Sequence, residues 1–260
     1  MRRHRRRGAP VRGRSGRQAS AGLAAVVVAC GLGWPVATVA GGSAPAAPRD
    51  AVVVMASDGT RLGAEWSPPQ GPAPAVLLVH MLTRSHRDWA DLARGLNAAG
   101  FGVLALDLRG HGSSGGSRSD LSAMAADVRA GLAWLRNHPD VLPGRLGIGG
   151  ASLGSTLALL AASDDASVRS LALLSPAFDY RGVRAEAALR KFDQRGGAAL
   201  LVAGAGDPYA ARCARQAGKS PRGVRDVRII EGEAAHGTLL LLARPDLLWQ
   251  LVDWFRRTLL

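Results

Sequence analysis

Three residues of this chain are of the right types, in the right order, to break a bond at a carbonyl carbon. Ser152 stands in Gly150-Ala151-Ser152-Leu153-Gly154, a G-x-S-x-G pattern. A serine hydroxyl is a weak nucleophile near neutral pH, so it needs a base within hydrogen-bond reach, and the base needs a third group to orient it. Of the histidines His4, His80, His86, His111, His138 and His236, the first lies in an arginine-rich leader and His138 closes a helix before Pro139. His236, in Gly232-Glu233-Ala234-Ala235-His236-Gly237-Thr238, follows the last strand expected from the sequence and is the candidate base. Asp207 directly follows an apolar run and Gly204-Ala205-Gly206, and is the candidate acid. The same residue, just ahead of Pro208, also reads as a helix N-cap. Asp179, after the preceding strand, is the rival acid, and Glu231 and Glu233 lie too close to His236 along the chain to be preferred.

The elements around Ser152 give the pattern its meaning. Leu146-Gly147-Ile148-Gly149 reads as a short buried strand and Leu157-Ala158-Leu159-Leu160-Ala161-Ala162 as a helix. A strand that turns at once into a helix is sharply bent and holds the residue at the bend under strain. Gly150 and Gly154 would let the two elements cross closely, leaving Ser152 exposed above the carboxyl end of a sheet. The Leu153 N–H, unpaired at a helix start, would face the same spot, where the helix dipole favours negative charge. Gly147-x-Gly149-x-x-Ser152 could also be a dinucleotide loop. Its third glycine is replaced by serine, however, and it follows several strands, whereas that fingerprint opens the first β–α unit.

Along the chain, strands are expected at Ala51–Met55 and Leu62–Trp66, joined as a hairpin through Ser57-Asp58-Gly59-Thr60. Further strands fall at 75–79, 103–106, 170–174, 198–203 and 227–230, with helices at 88–99, 121–137, 183–192, 208–217 and 246–259. Repeated alternation of the two implies an α/β fold with a mostly parallel sheet covered on both faces.

A formal charge of +13 raises the question of a polyanionic partner, but its distribution argues against one. Arg2, Arg3, Arg5, Arg6, Arg7, Arg12, Arg14 and Arg17 carry eight of those charges, and without them +5 remains, interspersed with acids. Nucleic-acid binding is therefore not expected. The arginines precede the uncharged apolar stretch Ala19–Ala29, the order of an export signal. Val27-Val28-Ala29-Cys30 resembles a bacterial lipobox, which marks Cys30 for lipidation; cleavage after Ala40 and an uncleaved anchor are the alternatives. The reading is thus an export segment at 1–30, a flexible Gly/Ala/Pro tether at 31–50 and a folded domain at 51–260, with membrane contact through the N-terminal segment only. The chain would be exported, either as a membrane-tethered lipoprotein or as a periplasmic or extracellular protein. Cys213 is the other of two cysteines and reads as a small helix residue, so no intramolecular disulfide is expected. No H-E-x-x-H pattern or cysteine cluster points to a metal, and no cofactor is expected.

Ser152, then Asp207, then His236 is the chain order of an α/β-hydrolase triad, and from Ala51 to Leu260 the sequence resembles that superfamily. It is most similar to the lidless branch that includes dienelactone-hydrolase-like esterases and serine-aminopeptidase-like hydrolases. His80-Met81-Leu82 stands where that family has His-Gly after its third strand. The resemblance implies that the Leu82 N–H, or alternatively that of Met81, is the second oxyanion donor beside Leu153. Met81 departs from the family's glycine. Asp107-Leu108-Arg109-Gly110-His111-Gly112 resembles the family's Asp-x-Arg-Gly-His-Gly loop, and the resemblance makes His80 and His111 loop-orienting residues. Many relatives insert a cap domain between Ser175 and Gly197, where this chain has room for one loop and one short helix. The serine nucleophile argues against the aspartate-based chemistry of haloalkane dehalogenases. The implied activity is hydrolysis of a carboxylic ester or thioester of a small acyl substrate. Peptidase or acyltransferase chemistry on the same triad, and an inactive surface binding protein on the same scaffold, are the competing readings.

Overall fold

The computed structural model describes residues 49–219 and 223–260. The expected export segment, Cys30 and the tether up to residue 48 lie outside the described residues.

The hairpin is β1 (Asp50–Met55) and β2 (Arg61–Ser67), antiparallel, with Asp50 opposite Trp66 and Met55 opposite Arg61. The strands β3 (Ala73–Val79), β4 (Gly102–Leu106), β5 (Val141–Ala151), β6 (Val168–Leu174), β9 (Ala198–Gly204) and β10 (Val224–Ile230) complete an eight-stranded sheet in the order β1-β2-β4-β3-β5-β6-β9-β10. From β4 to β10 every pairing is parallel. β3 and β9 are buried at every position, as continuous apolar runs covered on both faces must be. After β3 the chain moves outward to β4 and then back across to β5, so the order reverses between β3 and β5. In open α/β sheets ligands bind above the carboxyl ends of strands at such a reversal.

One face of the sheet carries α1 (Ala90–Ala98) and α7 (Asp246–Leu259), whose Leu92, Leu96, Leu251, Trp254 and Phe255 pack with Val76, Leu78, Leu200 and Val202. Trp254 Nε1 donates to the Leu171 carbonyl at 2.9 Å, which satisfies the one polar atom of an otherwise apolar anchor. The other face carries α2 (Leu121–Arg136), α3 (Leu153–Asp164) and α5 (Pro208–Ala217), packed over Leu77, Leu104, Ile148, Leu171 and Leu201.

Two expectations need correction. The helix expected at 183–192 begins later, as α4 (Glu186–Gln194), because Val183 and Arg184 form strand β8, paired antiparallel with β7 (Asp179–Tyr180). Arg181 and Gly182 both have positive φ, +50° and +88°, which is the requirement of a tight two-residue hairpin turn. The helix expected from Asp88 starts as a single 3₁₀ turn at His86–Trp89 before α1. The short α6 (Leu239–Ala243), which lies outside the expected elements, precedes α7. Between β6 and β9 the chain has only this hairpin and α4, with no cap domain.

Candidate active site

Ser152 occupies the turn between β5 and α3 with φ +50° and ψ −116°, a conformation that few non-glycine residues adopt. The surroundings over-determine it. Its N–H donates to the Leu174 carbonyl at 2.9 Å, and its own carbonyl accepts from the Ser155 N–H at 2.9 Å and the Ser155 hydroxyl at 2.6 Å. The flanking glycines fit because nothing larger could. A Cβ on Gly150 would lie 2.6 Å from the Gly154 carbonyl oxygen, and one on Gly154 would lie 2.3 Å from the Val79 carbonyl oxygen. α3 therefore crosses β3 and β5 at backbone contact, as the G-x-S-x-G spacing led us to expect, and Ser152 is held at the bend.

Residues distant in sequence converge on its hydroxyl. His236 Nε2 is 2.7 Å from Ser152 Oγ, and His236 Nδ1 is 2.6 Å from Asp207 Oδ2. With Nδ1–H donating to the carboxylate, Nε2 is left to accept from the serine hydroxyl. Asp207 makes both contacts at once: Oδ2 lies against the imidazole, and Oδ1 accepts from the Ala210 N–H at 3.3 Å and caps α5. The loops that carry acid and base are joined along their backbones, with Gly206 N–H donating to the Glu233 carbonyl at 2.8 Å. Glu233 Oε1 is itself occupied by the N–H groups of Ala234 and Ala235. The rival acid is turned elsewhere: Asp179 accepts from the Gly182 N–H at 2.8 Å and Arg184 Nε at 3.3 Å, within its own hairpin.

The loop after β3 carries Leu82, which is partly exposed, and two buried histidines hold its neighbours on either side. His80 Nδ1–H donates to the Met81 carbonyl at 2.8 Å, and His111 Nε2 accepts from the Thr83 N–H at 3.1 Å. The remaining nitrogens are also engaged, His80 Nε2 by the Leu108 N–H at 3.0 Å and His111 Nδ1 by the Arg109 carbonyl at 2.9 Å. Since Leu108 and Thr83 can only donate, both rings carry their proton on Nδ1. The burial of His80 pushes its pKa down to about 4, against the opposing hydrogen bond to Met81, so the ring is neutral at neutral pH. Leu153, fully buried, begins α3 directly after Ser152. Among the described residues, neither the Leu82 N–H nor the Leu153 N–H donates a hydrogen bond to protein.

Sequence reasoning missed the framework beneath this loop. Asp107, wholly buried, accepts from the His86 N–H at 2.7 Å and the Ser113 N–H at 2.9 Å, and its Oδ1 is 2.9 Å from His86 Nδ1. Burial alone would raise the Asp107 pKa, but those hydrogen bonds outweigh it and bring the value down to about 2. The same carboxylate, through its hydrogen bond, raises the pKa of His86 despite partial burial. Arg109 fastens the loop to α2 through buried Asp127, with Nε at 3.0 Å and Nη2 at 2.6 Å. The only signal for this in the sequence was the Asp-x-Arg-Gly-His-Gly run, which identifies the loop but not its partners.

A parallel sheet whose strained serine lies between β5 and α3, with an aspartate-backed histidine against it, defines the α/β-hydrolase class. The chain belongs within it to the hydrolase family described as serine aminopeptidase, S33, whose model matches residues 70–211, more than half of the chain. A monoacylglycerol lipase of Mycolicibacterium smegmatis is 37% identical over 81 residues; the match covers 30% of this chain and only 29% of the lipase. Among solved structures, an esterase of Pyrococcus furiosus aligns over 82% of this chain and 91% of its own, with a TM-score of 0.67 at 19% identity. A dienelactone hydrolase of Anabaena variabilis aligns over 83% of this chain and all of its own, with a TM-score of 0.66 at 20% identity. At those identities the structural likenesses establish the fold.

Proposed function

We propose that this chain is a serine hydrolase that cleaves a carboxylic ester or thioester through an acyl-enzyme intermediate. The observation that carries the reading is the unbroken line Ser152 Oγ, His236 Nε2, His236 Nδ1, Asp207 Oδ2, with separations of 2.7 and 2.6 Å at its two ends. As Ser152 attacks the carbonyl carbon, its proton passes to His236 Nε2. Asp207 keeps the proton of Nδ1 in place and balances the imidazolium charge. The N–H groups of Leu153 and Leu82 take up the negative charge on the carbonyl oxygen, in a hole preset by the start of α3 and the histidine-held loop. His236 then returns its proton to the leaving group, and a water activated by the same base releases the acyl group.

Support for an ester over an amide comes from the names borne by similar proteins, a lipase and an esterase among them. The family description favours a second reading, cleavage of an aminoacyl amide on the same residues. The testing experiment is labelling of the full chain with a fluorophosphonate probe, followed by parallel panels of acyl esters, thioesters and aminoacyl amides. We expect one covalent adduct, on Ser152, and faster turnover of esters. A chain that takes up no label would be an inactive binding scaffold, and amides turned over faster than esters would move the assignment to peptidase.

A further inference from the structure

Met81 stands where the lidless hydrolases that this sequence resembles have glycine, and its side chain is not directed into solvent. Met81 is 8% exposed. A Cβ placed on Gly237 would lie 2.3 Å from Met81 Sδ and 3.7 Å from the Ala151 Cβ. The thioether therefore fills the space that a side chain at 237 would need. The three segments that meet there are the ones that bear the proposed chemistry: Ala151 precedes Ser152, Gly237 follows His236 and Met81 precedes Leu82. Gly237 has φ +61°, and its N–H donates to the buried Ser175 hydroxyl at 2.9 Å, so the histidine loop reaches this position along a constrained path. On the other side, the Met81 carbonyl accepts from His80 Nδ1 at 2.8 Å and the Arg84 N–H at 3.2 Å.

We infer that Met81 is a positioning residue that locks the oxyanion loop to the histidine loop, with its backbone setting the Leu82 N–H and its side chain setting the segment that carries His236. The inference rests on the hydrolase reading. A flexible, polarisable thioether suits such an irregular gap. With the family's glycine at 81 the gap would be empty and the histidine loop would lose its support from this side. Displacing either loop by a fraction of an ångström affects a transition state more than it affects binding of the ground state. Loss of Met81 should therefore show in kcat rather than in KM.

The test is a double-mutant cycle on the full chain with Met81→Ala, Gly237→Ala and the pair, measured with the best ester of the panel. Met81→Leu, which keeps most of the volume, serves as the conservative control. We expect kcat to fall about tenfold or more in Met81→Ala with KM changed less than about threefold, and Met81→Leu to restore most of it. Gly237→Ala bears a positive-φ penalty in both backgrounds, so that cost cancels in the cycle. Because the new methyl group clashes with Sδ only when Met81 is present, it should reduce kcat at least about threefold more in the wild-type background than in Met81→Ala. Strictly multiplicative effects on kcat, or a Met81→Ala enzyme that melts earlier but turns over at the wild-type rate, would overturn the inference. If Met81→Ala does not fold, a Gly237→Ala enzyme that turns over at the wild-type rate, although its new methyl group must push against Met81 Sδ, would overturn it equally. Failure of the hydrolase reading is separately visible, as absence of fluorophosphonate label on the wild-type Ser152, and would remove the inference with it.

Discussion

His80 and His236 are both imidazoles held at both nitrogens, a few residues from the two ends of the same site, and they are suited to opposite tasks. His80 is fully buried between a carbonyl and an N–H of the backbone. A proton on its Nε2 would face the Leu108 N–H and have no solvent, and burial accordingly holds its pKa near 4. His236 has a side chain 48% exposed and lies between a hydroxyl and a carboxylate that is itself 13% exposed. In the proposed reaction the proton that Ser152 gives up would arrive on Nε2, and the Asp207 carboxylate would balance the new charge. The first ring is a fixed strut for the loop after β3, and the second is, in the proposed reaction, a place for a proton. Partners and solvent set this difference, since the residue type is the same.

The largest expected effect falls on the exposed side of the comparison. Ser152→Ala should lower ester turnover by about 10³ to 10⁶ while leaving the melting temperature close to wild type, because the hydroxyl joins no packing that the methyl group cannot replace. Steady-state kinetics with a thermal melt decide it: a variant that retained most of its activity would take Ser152 out of the reaction. The orienting carboxylate comes next. Asp207→Asn should cost about 10³ to 10⁴ in rate, since an amide can no longer enforce the Nδ1–H tautomer. Asp179→Asn should cost less than about threefold, as its carboxylate bonds within the β7–β8 hairpin and its contact with Tyr209 is made by the backbone. Reversed magnitudes would transfer the acid role to Asp179.

Why was one side of this comparison legible in the sequence and the other only in part? Ser152 directly follows the buried end of β5, Asp207 lies just past the wholly buried β9, and His236 lies in the loop after β10, a partly exposed edge strand that ends in Ile229-Ile230. Apolar runs of that kind locate strand ends to within a residue or two. The parallel sheet then gathers those ends on one edge, so three separated motifs could be placed together before any coordinate was known. β3, β4, β6, β9 and α5 were legible for the same reason. The hairpin β7–β8 was not, because two-residue strands have no period and depend on the positive φ of Arg181 and Gly182. The partners of the buried loop were also hidden. That His80 and His111 grip the residues on either side of Leu82, and that Asp107 lies under His86, follows from how the ends of β3 and β4 stack. Met81 read as a defect of a glycine motif, whereas in the fold it occupies the space above Gly237.

The smallest effect, and the one that isolates the buried side, is on stability against pH. His80 has a folded pKa near 4 against an ordinary value of 6.5, so below pH 6.5 the unfolded chain takes up a proton that the folded chain refuses. The contribution of His80 to stability therefore falls as the pH is lowered from 6.5 toward 4, and by pH 5 the loss from this residue is about 2 kcal/mol. His86 has the opposite sign. Its pKa is raised by Asp107, so its contribution is fully present below pH 6.5 and is lost only as the pH rises through the raised value. Asp107, held at about 2 against an ordinary 3.8, contributes a loss only at still lower pH. The interval from pH 6.5 to 5 thus separates His80 from both. Urea unfolding of wild type and His80→Asn at several pH values in that interval makes the comparison. The asparagine variant should be less stable at pH 6.5, yet its stability should decline less steeply, so that the gap narrows by about 2 kcal/mol at pH 5. Parallel declines would mean that His80 accepts a proton in the fold as readily as in the unfolded chain, and the contrast with His236 would lose its physical basis.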